Sequence, residues 1–496
     1  MRRPDGLLFA LLALASLNAA QEPRDPAPPS VRKLEPLAAP VARATAELRF
    51  HAAPRALASG AVSADWPDFR GPRRDGICRE TKLVTEFGAG GPPLVWELDT
   101  GSGFASPVVA QGKLVFTYRA GRENRVDALE PETGKLLWRH AFPCEYVDRY
   151  IQNDGPRATP VVAPALGEFP AAAYVHGVQG ELFCLELASG RVLWQRHTSR
   201  EWQIPQDFFG IVSTPLVRGE RLILNLGAPK GPSVIALDRR TGKLDWASDG
   251  PSWTASCASP LVATLGGKER LLVLAGGDSK PPTGGLLVLE PDSGKLVHTY
   301  AFRSRTYESV LAASPLPCGE RVFLSAAYNT GSACLAARAD GTFAELWTDR
   351  HVGLEFSDPL YLGGKLLLLD GVRDRAGALL VLDPATGKAL ARTELVWDEV
   401  VEKNGAKTTQ AYTPGQGSLL ALDEQKLLCL GDNGHLLVLA LTPDGATITS
   451  RAWLFRANET WTPPVVAHGL LYVVQTKKER GGAHGPRLLC YDLRAE

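Results

Sequence analysis

Along most of the chain, short apolar runs alternate with acidic and polar turns in a fixed phase. The clearest instances are ALEPETGKLLW (Ala128 to Trp138), CLELASGRVLW (Cys184 to Trp194), ALDRRTGKLDW (Ala236 to Trp246), VLEPDSGKLVH (Val288 to His298) and VLDPATGKALA (Val381 to Ala391). Each predicts a β-hairpin. An apolar strand ends at an acidic residue whose carboxylate can accept turn N–H groups. Pro131, Pro291 and Pro384 stand where a type I turn wants a preset φ. A glycine then supplies the left-handed position before the next strand. Leu136 and Trp138 share one face of that strand. The tryptophans Trp96, Trp138, Trp194, Trp246 and Trp347 are read as large apolar anchors between sheets.

A second pattern opens each unit: FASPVV (Phe104), RATPVV (Arg157), VSTPLV (Val212), CASPLV (Cys257), AASPLP (Ala312), FSDPLY (Phe356), GQGSLL (Gly415) and WTPPVV (Trp461). Proline cannot donate to a ladder, so it needs an edge strand or a strand start. The two patterns alternate, and the prolines from Pro107 to Pro359 recur every 44 to 55 residues. Units of that length with four short strands are propeller blades. The chain ends on RLLCYDLRAE, half a hairpin, and PPLVWELD near the start supplies the missing half through Trp96. The fold predicted is therefore all-β: an eight-bladed propeller of four-stranded antiparallel blades over residues 65–496, its ring closed by an N-terminal strand.

Before it, MRRPDG and the apolar run Leu7 to Leu17 predict a signal peptide over residues 1–20, and hence export to the periplasm or cell envelope. No run is long enough for a transmembrane helix, and no Cys follows the apolar run as a lipid-anchor site. Residues 21–64, rich in Pro and Ala, are expected to be a disordered linker. The stretch WPDFRGPRRDG (Trp66 to Gly76) is read as the clasp of the fold, with Trp66 and Phe69 on the last blade and the arginines solvated or paired with carboxylates.

Charge and chemistry narrow the function classes. Lys+Arg and Asp+Glu both number 54, which argues against a nucleic-acid partner. Eight cysteines in an exported chain invite a disulfide reading, with Cys78 and Cys144 the candidate pair, although spacing alone does not join them. The histidines are scattered without metal-ligand spacing, so no metal site is expected.

The repeats resemble those of the pyrroloquinoline quinone (PQQ) propeller superfamily, which includes quinoprotein alcohol dehydrogenases and BamB-type outer-membrane assembly proteins. The likeness is greatest to exported PQQ-like repeat proteins of planctomycete-type bacteria, through WPDFRGP, GPRATPVV, FLSAAYNTGS and GQGSLL. A dehydrogenase of this group implies PQQ over calcium and a G-x-E-x-G-x-R-G motif. In the matching stretch, Tyr174 to Gly180, Val175 stands for the Glu and Gln179 for the Arg. Thr254 stands where the family's catalytic Asp follows a Trp, and Asn225 is the one counterpart of a metal ligand. The expectation is therefore a non-catalytic scaffold with no cofactor, binding a protein or cell-envelope component. The alternative is a PQQ- and calcium-dependent dehydrogenase of alcohols or aldehydes.

A binding site is expected on the face where outermost strands return to the channel. Three connections there are long: His140 to Gly155, Arg196 to Gly210 and Arg392 to Pro414. The candidate partner- or ligand-binding residues are Arg157, Trp202, Asp207, Trp253, Tyr307, Glu355, Asp358 and Trp461; no catalytic residue is assigned.

Overall fold

The computed structural model describes residues 48–150, 152–206, 208–338, 340–370, 377–403, 406–479 and 484–496. Eight antiparallel sheets surround a channel. Blade 1 runs outward through Val108–Ala110, Lys113–Ala120, Glu123–Leu129 and Leu136–Pro143. Blades 2 to 7 open with inner strands at Val161, Leu216, Leu261, Leu316, Leu360 and Ser418. Blade 8 is composite: Val465–Ala467, Leu470–Gln475 and Arg487–Asp492 are joined by the N-terminal Leu94–Asp99. Trp96 faces Cys490 across that seam.

The repeated hairpin explains the ring's cohesion. Gly134 N–H closes the turn onto Glu130 O at 2.9 Å, and the outer strand bulges between Leu136 and Trp138. The Asp versions of the turn behave as read: Asp238 Oδ1 accepts the N–H groups of Arg240 and Thr241. Glu130 instead accepts the Thr133 hydroxyl. The anchor of one blade then caps the hairpin of the next. Trp96 Nε1–H donates to Pro131 O at 2.9 Å, and Trp138 Nε1–H donates to Leu187 O at 2.9 Å. The same reach joins Trp194 to Arg239 O and Trp347 to Pro384 O. Gly190, at φ +74°, lies under the Trp138 ring, where a Cβ would come within 2.6 Å of the indole. The glycine therefore serves the packing as well as the turn.

Three expectations change. First, the boundary at residue 65 falls earlier. Leu48–Phe50 pairs outside Leu94–Asp99 as a fifth strand, and Arg55 Nε–H donates to Asp492 Oδ2 at 2.8 Å. Polar anchors hold this segment where apolar content is low. The signal peptide and the linker up to residue 47 lie outside the described residues. Second, Cys78 and Cys144 are not joined: each is a free thiol, and they sit in separate apolar clusters.

Third, WPDFRGPRRDG does not simply dress the last blade: it crosses the channel. Trp66 bridges Val109 of blade 1, and its ring joins the apolar cluster of blades 1, 7 and 8. Ile77 bridges Ala421 of blade 7, two blades from blade 1 around the ring. Between them, Arg70 and Arg74 are buried, both with left-handed backbones. Arg70 donates to Pro359 O at 2.6 Å; Arg74 donates to Pro260 O at 2.8 Å and also to Pro215 O. Arg74 forms a bidentate pair with buried Asp68. Only Arg73 is solvated as expected. The prolines leave inner-strand carbonyls facing the channel, and the arginines collect them.

Candidate functional site

The strand order places every connection between blades on one face, because four antiparallel strands return the chain to its starting side. The residues just before the inner strands meet there, around the channel. The residue preceding the proline carries a repeated role. Ser106 N–H donates to Thr159 Oγ1 at 3.2 Å, Thr159 N–H to Thr214 Oγ1 at 3.1 Å, and Thr214 N–H to Ser259 Oγ at 3.1 Å. Ser259 N–H then donates to Ser314 Oγ at 3.3 Å, and Ser314 N–H to Asp358 Oδ1 at 2.6 Å. A chain of side-chain oxygens thus links six blades around the channel. It satisfies backbone N–H groups that an inner edge strand leaves without a ladder partner.

Asp358 ends this chain, with its side chain 9% exposed and Arg70 Nη1 3.7 Å away. Burial pushes its carboxyl above the usual range, and the Arg70 guanidinium opposes the shift. The crossing segment floors the channel beneath, so the mouth is a blind cavity of about 120 Å³. Its walls are aromatic. Trp461 is stacked between Phe356, at 4.4 Å between ring centres, and Phe104, at 5.5 Å. Phe69, Phe209 and Arg157 also line it, with Thr214 and Ser259 of the oxygen chain.

Arg157 is held from several sides. Its guanidinium donates to Asp148 Oδ2 at 2.9 Å, Asn153 O at 2.9 Å and Phe209 O at 3.1 Å. It also lies over the rings of Phe104, Tyr146 and Phe209. Asp148, itself buried, accepts the N–H groups of Tyr150, Gln152 and Asn153, so one carboxylate organises the first long connection. Burial raises the Tyr146 phenol to about 12, against the pull of Arg157.

The mouth therefore gathers Arg157, Asp358 and Trp461 from the expected set. Glu355 is buried nearby but outside the lining, accepting from Tyr328 Oη at 2.5 Å and from Gln416. Tyr307 meets the edge of Phe208 on the connections above, with Lys280 over its ring at 4.2 Å. Trp202 and Trp253 do not reach the mouth: they pack against the apolar clusters of blades 2–3 and 3–4. Asp207 lies outside the described residues. The sequence reading missed Phe69 as a lining residue, and it missed Thr214 and Ser259. For the last two a signal stood in plain view, since Ser or Thr precedes five of the inner-strand prolines. The third long connection is a hairpin, Trp397–Lys403 against Ala406–Tyr412, anchored where His435 stacks on Trp453. A second cavity, of about 280 Å³, lies between the connections of blades 2 and 3 and is lined in part by Gln179 and Thr254.

These residues do not fit a calcium-bound quinone. Calcium needs several converging oxygen donors, charged ones among them. Among the described residues the mouth offers one carboxylate, Asp358, whose Oδ1 accepts the Ser314 N–H with Arg70 Nη1 3.7 Å away. Val175 is buried in the core of blades 1 and 2. Asn225 donates its amide to Leu274 O at 3.2 Å. Among the described residues, no three His, Cys, Asp or Glu side chains gather around a common point.

A family model described as outer membrane protein assembly factor BamB matches residues 169–339 and 252–495. Among solved structures, the quinohemoprotein alcohol dehydrogenase of Comamonas testosteroni is 14% identical at TM-score 0.55, covering 87% of this chain and 81% of that one. Quinohemoprotein alcohol dehydrogenase ADHIIG of Pseudomonas putida HK5 is 15% identical at TM-score 0.56, covering 87% and 80%. BamB of Moraxella catarrhalis is 12% identical at TM-score 0.49, covering 81% and 100%. At such identities the likeness is one of fold. Comparison with curated proteins gives no match.

Proposed function

The chain belongs to the BamB-like family of PQQ-type propellers, and we propose that it is an exported, non-catalytic binding scaffold of the periplasm or cell envelope. The observation that carries this reading is the state of Asp358. Among the described residues it is the one carboxylate lining the mouth; its Oδ1 accepts the Ser314 N–H, and Arg70 Nη1 lies 3.7 Å from the same oxygen. A metal ligand needs free oxygens, and a general base needs reach to a substrate proton. A single carboxylate beside an arginine supplies too few charged oxygens for calcium.

The mouth face suits a protein or an envelope component. Its connections carry aromatic residues over a rigid ring, with exposed Val147, Val396 and Val400 among them. Aromatic and arginine side chains are favoured anchors at interfaces. Export rests on the apolar N-terminal run; N-terminal sequencing of protein recovered from a periplasmic fraction tests it.

The non-catalytic half of the proposal is tested by titrating purified protein with PQQ and calcium. Absorbance should report free quinone only, and dye reduction with alcohols or aldehydes should stay at background. Stoichiometric quinone uptake, with turnover that Asp358→Asn abolishes, would overturn it.

A further inference from the structure

The mouth holds polar hydrogens that have no acceptor among the described residues. Thr214 and Ser259, 2% and 4% exposed, line the cavity. Each hydroxyl oxygen accepts one backbone N–H from the preceding blade. Neither O–H has an acceptor among the described residues. On the opposite wall, Trp461 Nε1 is buried and has no partner either. Its ring is fixed between Phe356 and Phe104, so it cannot readily swing away to find one. A buried donor left unpaired costs about 1–3 kcal/mol. These three donors belong to residues that line one aromatic cavity, and none has an acceptor among the described residues. Asp358 Oδ1 is taken by the Ser314 N–H, and no hydrogen bond among the described residues joins this carboxyl to Thr214, Ser259 or Trp461.

Size limits the ligand. The cavity measures about 120 Å³, and an engineered apolar cavity of about 150 Å³ takes up benzene. The space therefore suits one ring or a short chain. Phe209, Phe356 and Trp461 provide its apolar surroundings. We propose that the channel mouth binds a small apolar molecule bearing one carbonyl or carboxylate oxygen, seated among the Thr214, Ser259 and Trp461 donors. This goes beyond the scaffold reading and does not depend on it.

Saturation-transfer NMR on the purified chain with benzoate, benzamide and benzylamine tests the proposal. Benzoate and benzamide share the oxygen acceptor; benzylamine has the same ring and only donors. The two acceptor probes should bind, and benzylamine should be about tenfold weaker or absent. Joint Thr214→Val and Ser259→Ala should weaken benzoate about tenfold, whereas Thr214→Ser should keep it. Ala312→Phe leaves the donors in place but fills the cavity, and it should abolish binding even if the double variant fails to fold. Equal binding of benzylamine, no binding of either acceptor probe, or benzoate binding unchanged in Ala312→Phe overturns the proposal.

Discussion

The backbone N–H of Ser314 donates to Asp358 Oδ1 at 2.6 Å, the shortest link in the chain of oxygens around the channel. In the preceding blades a serine or threonine hydroxyl takes this place. At blade 6 a carboxylate replaces it, beside Arg70 of the segment that crosses the channel. Charge enters the ring where the crossing segment brings a buried arginine alongside.

The crossing segment should be a major source of stability. Arg74→Met leaves Asp68 buried and unpaired and should cost about 3–5 kcal/mol in denaturant unfolding. Adding Asp68→Asn should recover much of the loss. A single variant as stable as wild type would show that the segment merely lies in the channel.

The interlock between blades gives a second test. Gly190→Ala forces a left-handed backbone and pushes a Cβ into the Trp138 ring, and it should cost about 2–4 kcal/mol. Trp138→Ala should cost about 3–5 kcal/mol. Together the two should cost less than their sum, because the alanine at position 190 no longer meets an indole. Additive losses in melting experiments would mean that the two positions do not act on each other.

Asp432 should make stability depend on pH. Burial raises its carboxyl from 3.8 to about 6, with Glu459 adding to the shift. A raised folded-state value favours the protonated form. Its contribution is therefore complete below the unfolded value and is lost as pH rises through about 6. Asp432→Asn should stabilise the protein by on the order of 1–3 kcal/mol at pH 7 and by little at pH 3.5. Equal effects of the variant at both pH values would remove the group from the account.

How far the sequence reached follows from what each contact depends on. The hairpins, the tryptophan anchors and the composite blade were legible because each repeats a local pattern in phase. The path of Arg70 and Arg74 was not, because their acceptors are backbone carbonyls of Pro359, Pro215 and Pro260, which no side-chain pattern marks. The oxygen chain was written in the residue before each proline, but its meaning needs neighbouring blades side by side. Trp202 and Trp253 pack toward the ring, a choice the local sequence does not make, because an aromatic on a connection can pack toward the ring or toward the channel. The hairpin at Trp397–Lys403 was visible as alternation, which its position within a long connection obscured.

The scaffold claim is tested most directly by photo-crosslinking in the cell envelope. Benzoylphenylalanine placed at Val147, 66% exposed on the mouth face, should join the protein to a discrete partner. The same group at Leu137, 46% exposed on an outermost strand, should not. Identical products from the two positions, or none from Val147, would contradict a scaffold that works through the mouth face.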